Sequence, residues 1–224
     1  GGNDQHATMV AVDASGNLLY CSPGNQPEVF PLDQPQFGLG QVRGFTLSAN
    51  GREMYLLDDS SVWIYRYDNH AGDEEDGDDA AEPRQFIYPV TFFSGLPPEN
   101  MNRAVDLAAN GSDLFLLFDD SHVAVCTYSG LAASPTTCQD PVSFTDGRAG
   151  HSSGVTISDA VFSQLLFDAP YNTALYLLEP NTDAVFIINP HPTSLVLAGQ
   201  FHASWEMERA LFPTRILFVS APLA

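Results

Sequence analysis

The stretch SANGREMYLLDDS, residues 48–60, decides the architecture because the chain repeats it. It returns as AANGSDLFLLFDDS at residues 108–121 and, with an altered turn, as DAPYNTALYLLEPN at residues 168–181. Each copy has the pattern of a tight turn, an apolar strand and a second, acidic or polar turn. Such internal self-similarity predicts an array of similar structural units.

Two weaker copies flank the three clear ones, at Val12–Tyr20 and at Leu211–Val219. Aligning the five copies takes the following residues as equivalent: Leu19, Tyr55, Phe115, Tyr176 and Leu217. The Asn-Gly and Ser-Gly pairs in the turns accept the positive φ that hairpins require. The alignment therefore predicts five units, each containing at least two antiparallel strands.

Further apolar runs complete the units. Segments rich in β-branched and aromatic residues predict third strands at Val62–Tyr65, Val123–Cys126 and Val185–Ile188. Phe86–Phe93 and Ser194–Leu197 are the candidates for fourth strands. Helical periodicity is absent from the sequence apart from a short turn around residues 205–209.

Repeated four-stranded units of this kind resemble the blades of a β-propeller. The pattern is similar to the bacterial YVTN, NHL and TolB-like families, whose blades often combine an Asn-Gly turn, an apolar strand and an acidic turn. The resemblance implies an all-β fold, with a single propeller domain over residues 1–224 and about five recognisable four-stranded blades.

A narrower resemblance rests on three segments: Val123–Asp146, Phe162–Leu165 and Leu175–Pro180. They look like extracytoplasmic propeller regions of membrane-bound bacterial proteins. This resemblance implies a module that senses a ligand or docks onto another protein.

The last copy is incomplete, because no third or fourth strand follows Leu211–Val219 in this sequence. Residues His6–Val12 could supply one strand to it, or another chain or residues missing from this sequence could complete the sheet. An apolar sheet edge invites strand pairing. We therefore expect a protein partner to bind, or a homo-oligomer to form, through the last blade.

Composition excludes several classes of function. The 28 acidic residues against 8 basic residues give a formal charge of −20, and every basic residue is Arg. Such a charge repels nucleic-acid phosphates and anionic membrane surfaces, although an acidic surface also fits a high-salt habitat. No apolar stretch is long enough to span a bilayer, so we expect neither nucleic-acid binding nor direct membrane insertion.

The three cysteines are Cys21, Cys126 and Cys138. The last two flank a connection rich in Ser, Gly, Pro and Thr, Tyr128–Thr137, and a disulfide there would close a short loop. Free buried thiols are the alternative. A disulfide would favour an oxidising compartment, so we expect a periplasmic, cell-surface or secreted protein in which Cys21 is a single buried thiol.

An acidic insertion at about residues 71–84 is the candidate metal site. Its carboxylates could bind calcium through Asp73, Glu75, Asp76 and Asp78. The run does not follow the EF-hand order, because placing Gly77 sixth puts Gly72 first and Pro83 last. A flexible, solvated and self-repelling acidic loop is the favoured interpretation of this run, and no other cofactor is predicted.

Other motifs have ordinary structural explanations. Gly150–Gly154 matches the nucleophile-elbow spacing but lacks the strand-to-helix setting, and Gly38–Gly44 misses the dinucleotide-binding spacing by one residue. The pairs in Asp58–Ser60 and Asp119–Ser121 either cap their own turns or bind a ligand at a propeller rim. The six histidines form no short metal-binding pair. No catalytic residue is assigned.

These observations favour a non-enzymatic, extracytoplasmic propeller that binds a protein partner or serves as a subunit of a cell-envelope assembly. One alternative is a ligand-sensing module of a larger membrane protein. The other is a lyase-like or hydrolase-like enzyme whose active site lies in a central pocket lined by several blades.

Overall fold

The computed structural model describes most of the chain between Met9 and His202. The described residues are 9–13, 16–21, 26–48, 53–67, 86–93, 97–110, 113–127, 137–147, 159–167, 174–191 and 194–202. Within them the chain forms sixteen β-strands and one 3₁₀ turn, Met101–Arg103, with no α-helix. The predicted all-β class is confirmed.

The strands follow the repeats closely. In chain order they are β1 Met9–Val12, β2 Asn17–Cys21, β3 Glu28–Pro31, β4 Gly44–Leu47, β5 Glu53–Leu57, β6 Val62–Tyr67, β7 Phe86–Thr91, β8 Ala104–Asn110, β9 Asp113–Phe118, β10 Val123–Thr127, β11 Thr137–Gln139, β12 Ser143–Asp146, β13 Gln164–Phe167, β14 Leu175–Glu179, β15 Ala184–His191 and β16 Ser194–His202. The predicted third strands are β6, β10 and β15, and the predicted fourth strands are β7 and β16.

Four sheets result. The first has the order β1-β2-β3, the second β4-β5-β6-β7, the third β8-β9-β10-β11 and the fourth β13-β14-β15-β16-β12. Every pairing is antiparallel between consecutive strands, except that β12 runs parallel to β16. The second sheet, the third sheet and the antiparallel part of the fourth are thus four-stranded meanders, the topology of a propeller blade.

The described residues divide into two compact units, one up to Phe92 and one from Phe93 onward. In the first unit a core cluster joins the first two sheets through Leu18, Leu32, Met54, Leu56 and Tyr65. In the second unit the third and fourth sheets share a larger cluster, which includes Phe115, Leu117, Val125, Leu175, Phe186 and Leu197. Burial of these apolar faces is the main favourable term for each pair of sheets.

The first sheet contains the equivalents of second, third and fourth strands. Its outer strand, β3, is identified by a hydrogen bond that recurs in three sheets. In this bond, the N–H of a residue just after the fourth strand donates to a carbonyl near the start of the third strand. The three examples are Leu32 to Gly16 (3.1 Å), Phe92 to Val62 (2.8 Å) and Val142 to Val123 (2.9 Å). By this bond β3 corresponds to β7 and β11.

The turn between β1 and β2 supports the same assignment. Asp13 N–H donates to the Asn17 carbonyl and Gly16 N–H to the Asp13 carbonyl, both at 3.0 Å. The turn between β9 and β10 repeats this pair of bonds at Phe118, Ser121 and His122, with lengths of 3.0 and 2.9 Å. β1 and β2 therefore correspond to second and third strands.

The alignment of Leu19 with Tyr55 is consequently wrong by one strand. Val12 pairs with Leu18 directly before the turn, as Leu57 pairs with Val62, so the place of Tyr55 belongs to Val10. The physical reason is that Ser15-Gly16 supplies positive φ, at +81° for Gly16. Either hairpin of a four-stranded unit accepts such a turn.

β12 adds a fifth strand to the fourth sheet. It follows the third sheet in the chain and pairs with β16 from Ser143 to Asp146. Gly147 N–H continues the pairing with a bond to the Leu197 carbonyl at 3.0 Å, and Phe144 packs against the shared core. The segment thus links the last strand of the third sheet to the outer edge of the fourth.

Two predicted features lie outside the described residues. They are the acidic insertion at about 71–84 and the last repeat copy, Leu211–Val219. The blade count of five and the single domain remain predictions.

We expect the substitutions Gly16→Ala and Gly38→Ala to separate backbone strain from steric clash. Both glycines have positive φ, +81° and +83°, but an added Cβ at Gly16 lies 2.7 Å from Leu39 Cδ2, whereas the one at Gly38 meets nothing within 4 Å. Urea unfolding should show a loss of about 1 kcal/mol for Gly38→Ala and about 2 to 4 kcal/mol for Gly16→Ala. Equal losses would contradict this account.

Candidate functional site

A buried carboxylate lies directly after β5. Asp58 is completely buried, and its Oδ1 accepts hydrogen bonds from Ser60 N–H (2.8 Å), the Ser60 hydroxyl (2.8 Å) and Ser61 N–H (2.7 Å). Its Oδ2 accepts from Gly40 N–H (3.0 Å) and from the Trp63 indole N–H (2.8 Å). Five donors therefore surround two oxygens, which fills the accepting capacity of the carboxylate.

These donors decide the charge state of Asp58. Burial alone raises its pKa, but the hydrogen bonds from Trp63, Ser60 and Gly40 together outweigh burial and hold the pKa below its ordinary value. Asp58 is thus a fixed anion with no free lone pair for a ligand. It caps its own turn and anchors the Gly40 connection, which favours the structural interpretation of this acidic pair.

Glu179, the last residue of β14, is a second buried carboxylate of this kind. It is 2% exposed and accepts from Asn181 N–H (3.3 Å), from Thr182 N–H (2.8 Å) and from the Thr182 hydroxyl. Burial raises its pKa, and the bonds from Thr182, Asn181 and Val161 N–H lower it to a net value below the usual one.

The two carboxylates hold equivalent connections. Gly40 and Val161 each lie 18 residues before their acceptor, and each stands a few residues ahead of a first strand, β4 or β13. A carboxylate at the end of a second strand thus fixes the backbone that enters the same sheet. The repeat encodes this contact with either Asp or Glu.

The third sheet departs from the pattern. Phe118 occupies the equivalent place and stacks on the His122 ring, with ring centroids 4.2 Å apart and an interplanar angle of 10°. The acidic pair Asp119 and Asp120 follows one residue later and is exposed. Arg103 Nη2 lies 2.5 Å from an Asp119 oxygen and 3.1 Å from an Asp120 oxygen. The acidic pairs Asp58-Asp59 and Asp119-Asp120, which are aligned in the sequence repeat, therefore have different environments.

His122 is held between two carboxylates. Its Nδ1 contacts Asp120 Oδ1, and its Nε2 lies 3.0 Å from Asp140 Oδ1. Burial raises the pKa of Asp120, whereas the hydrogen bonds and charge of His122 and the charge of Arg103 lower it below its usual value overall. With both ring nitrogens engaged, this imidazole cannot take a substrate proton without first breaking a contact. The cluster is suited to holding the chain in place.

A disulfide and two polar contacts hold the segment that follows β10. Cys126 and Cys138, directly paired on β10 and β11, form a disulfide with a Cα–Cα distance of 4.0 Å. This is the pair that the sequence predicted. Two residues later Asp140 contacts His122, and Ser121 Oγ accepts the N–H of Phe162 at 2.9 Å. Together these contacts fix the passage from the third sheet to the fourth.

The remaining sequence candidates have different outcomes. The calcium candidates Asp73, Glu75, Asp76 and Asp78 lie outside the described residues, so calcium binding stays a prediction. Gly150–Gly154 and the last repeat copy also lie outside the described residues. In the part of the chain that the structure covers, no group of three or more His, Cys, Asp or Glu side chains could hold a metal ion. Gly40 has a role unrelated to nucleotides, as the donor to Asp58.

Phe37 is the most exposed large apolar side chain among the described residues, at 92%. It lies at the tip of a turn closed by a 2.8 Å bond from Gly38 N–H to the Pro35 carbonyl. Gln34 braces the turn, since its Oε1 accepts from Leu39 N–H (3.0 Å) and its Nε2 donates to the Leu32 carbonyl (3.3 Å). The aromatic ring is therefore presented on a well-bonded connection.

Sequence reasoning missed three of these features. Glu179 lies in the third repeat copy, where a Pro-Asn turn obscured its equivalence to Asp58. The contact of His122 with Asp140 joins residues 18 positions apart across the disulfide loop, which no motif records. Phe37 could have been found from its Pro-x-x-Gly turn, because such a turn is a surface feature and an aromatic residue there lacks cover.

No protein-family model matches the sequence, and a search of curated proteins gave no match. Solved structures are similar at low identity. A "putative 6-phosphogluconolactonase" from Bacteroides uniformis is 13% identical with a TM-score of 0.45, and the match covers 88% of this chain and 54% of that one. This chain thus spans about half the length of that protein.

Two further structures extend the comparison. A functionally unknown protein from Desulfotomaculum acetoxidans is 9% identical with a TM-score of 0.44, and the match covers 89% of this chain and 68% of that one. A nidogen/laminin complex gives 9% identity and a TM-score of 0.36, with 88% and 81% covered. None of these likenesses transfers an activity. Within the described residues, no helix is long and apolar enough to cross a membrane.

We expect Asp58→Asn to destabilise the first unit strongly. The amide would direct its NH₂ group at N–H donors that the carboxylate accepts, so at least two of these donors would lose their acceptor. Urea unfolding followed by the fluorescence of Trp63, whose indole donates to Asp58, should show a loss of about 2 to 3 kcal/mol. Asp59→Asn, at an exposed position of the same turn, is the control and should change stability by less than about 0.5 kcal/mol.

The lowered pKa values of Asp58 and Glu179 predict acid sensitivity. Because each folded-state pKa lies below that of the unfolded chain, the stabilisation is present above about pH 4 and is lost as pH falls through the folded-state pKa. Unfolding free energies measured from pH 6 to pH 2 should fall less steeply in the double variant Asp58→Asn/Glu179→Gln than in the wild type. Parallel profiles would show that neither carboxylate carries this effect.

Proposed function

We propose that this chain is a non-enzymatic β-propeller module that binds a protein partner outside the cytoplasm, with Phe37 as an anchor of the contact surface. The observation that carries the proposal is the 92% exposure of a Phe side chain on a braced turn. Aromatic side chains that enter a partner's pocket commonly dominate binding energy.

Preorganisation strengthens this role. The turn is fixed by its internal bond, by Gln34 and by the neighbouring Gly40 N–H, which donates to buried Asp58. Pro35, the first residue of the turn, is buried. Little conformational freedom would therefore be lost when Phe37 is buried by a partner, which favours affinity.

Charge complements this anchor. With a formal charge of −20 and no Lys, the chain would attract a surface rich in Lys or Arg. We therefore propose a partner with an apolar pocket surrounded by basic side chains. Association should weaken as salt is raised, because screening reduces the long-range attraction.

Catalysis has less support from the described polar groups. Asp58 and Glu179 are occupied by internal donors, and both ring nitrogens of His122 face carboxylates. The disulfide favours an oxidising compartment, which supports a location outside the cytoplasm. A sensing module of a larger membrane protein would use the same surface.

The test compares Phe37→Ser with Val29→Ser, which removes another exposed apolar side chain, 60% exposed, on β3. The full chain and both variants would be immobilised and exposed to the extracytoplasmic fraction of the source cells, and a retained protein would then be purified and titrated. We expect Phe37→Ser to weaken binding at least 10-fold and Val29→Ser less than 2-fold. Equal binding by all three, or no retained protein, would contradict the proposal.

A further inference from the structure

The ring of His122 is held in a fixed direction. His122 directly precedes β10, and its backbone carbonyl accepts the Phe118 N–H at 3.0 Å across the turn between β9 and β10. The imidazole stacks on the Phe118 ring with centroids 4.2 Å apart, and its side chain is 27% exposed. Backbone pairing and ring stacking together determine where the two ring nitrogens point.

Each of these nitrogens faces a carboxylate oxygen. On one side Nδ1 contacts Asp120 Oδ1, which also accepts the His122 backbone N–H at 3.3 Å. On the other side Nε2 lies 3.0 Å from Asp140 Oδ1. An ionised carboxylate only accepts hydrogen bonds, and a neutral imidazole has one N–H and one lone pair. A neutral ring would therefore direct a lone pair at one carboxylate, whereas an imidazolium donates to both.

The surrounding charges favour the same state. Arg103 lies 3.1 Å from an oxygen of Asp120 and also contacts Asp119. In this cluster of described residues, three carboxylates share one guanidinium, which leaves two negative charges uncompensated. An imidazolium compensates one of them, and nearby negative charge favours the charged form of His. Because the side chains are partly exposed, water and salt screen part of this attraction.

Asp140 lies where the chain passes from the third sheet to the fourth. Two residues earlier Cys138 is joined to β10 by the disulfide, and two residues later Val142 N–H donates to the Val123 carbonyl at 2.9 Å. From Ser143 onward the chain pairs with β16 as β12. The contact between Asp140 and His122 therefore attaches this passage to the start of β10.

We infer that His122 carries a proton on both ring nitrogens at neutral pH and, as a cation, joins Asp120 to Asp140. Loss of one proton as the pH rises leaves a lone pair facing a carboxylate, which weakens the attachment of the passage to β10. The cluster is thus a pH-sensitive link at the junction of the third and fourth sheets. This inference does not depend on the proposed function.

NMR of the full-length chain with nitrogen-15-labelled histidine tests the protonation state. The chain contains six histidines, so the signals of His122 are identified by their absence from the spectrum of His122→Gln. At about pH 7 we expect both ring nitrogens of His122 to carry a bonded proton. A spectrum in which only one of them is protonated would overturn the inference.

Two Asp→Asn variants distinguish this link from a general effect of charge. Asp140→Asn removes the carboxylate that faces Nε2, so we expect the proton affinity of His122, measured by NMR titration, to fall at least 5-fold. Asp119→Asn is the matched control, because it removes an equal charge from a carboxylate paired with Arg103. It should change the proton affinity of His122 less than 2-fold. Equal changes in the two variants would overturn the link through Asp140.

Hydrogen exchange shows whether the passage responds to this proton. Over the pH range in which NMR shows His122 losing it, we expect the protection factor of Val142 N–H to fall at least 5-fold. Ala124, which pairs with Leu116 in the same sheet, is the internal control and should keep its protection. In His122→Gln, whose side chain does not titrate, Val142 protection should stay constant over that range. Constant protection in the wild type, or the same fall in His122→Gln, would overturn the pH-sensitive link.

Discussion

A backbone N–H that is removed from water on folding must find another acceptor. In two sheets of this protein, one buried carboxylate per sheet supplies that acceptor. Asp58 and Glu179 each accept from their own turn and from a connection 18 residues earlier. One side chain therefore closes a turn and also fixes how the chain enters the sheet. Such groups are worth most when every donor is matched, because an unmatched donor in an apolar setting is costly.

The third sheet reaches a similar result with different chemistry. Phe118 replaces the carboxylate with an aromatic surface, and the neighbouring contacts come from Arg103, His122 and Asp140 at partly exposed positions. Exposed ion pairs contribute little individually, so the nearby disulfide and the apolar core carry more of the stability there. The repeated units thus share the same strand arrangement, but the third sheet has an aromatic stack and partly exposed polar contacts where the others have a buried carboxylate.

Much of the fold could be predicted from local pattern. The Asn-Gly turns, the apolar runs Met54–Leu57 and Leu114–Phe118, and the two cysteines beside a short connection all record contacts between residues close in sequence. The first repeat copy was misaligned because Ser15-Gly16 satisfies either hairpin, and only hydrogen bonds such as Leu32 N–H to the Gly16 carbonyl distinguish them. Phe37 lies in a Pro-x-x-Gly turn, a local signal of a surface position, so its exposure could also have been predicted.

The disulfide has a consequence for the length of the loop that it closes. Because Cys126 and Cys138 are joined across adjacent strands, the ends of the intervening chain stay together whatever lies between them. The entropic cost of lengthening a closed loop grows only slowly with the number of residues added. A protease cut within residues 128–136 would leave both fragments covalently attached. This connection is therefore a suitable place to insert a peptide tag or a small domain without separating β10 from β11.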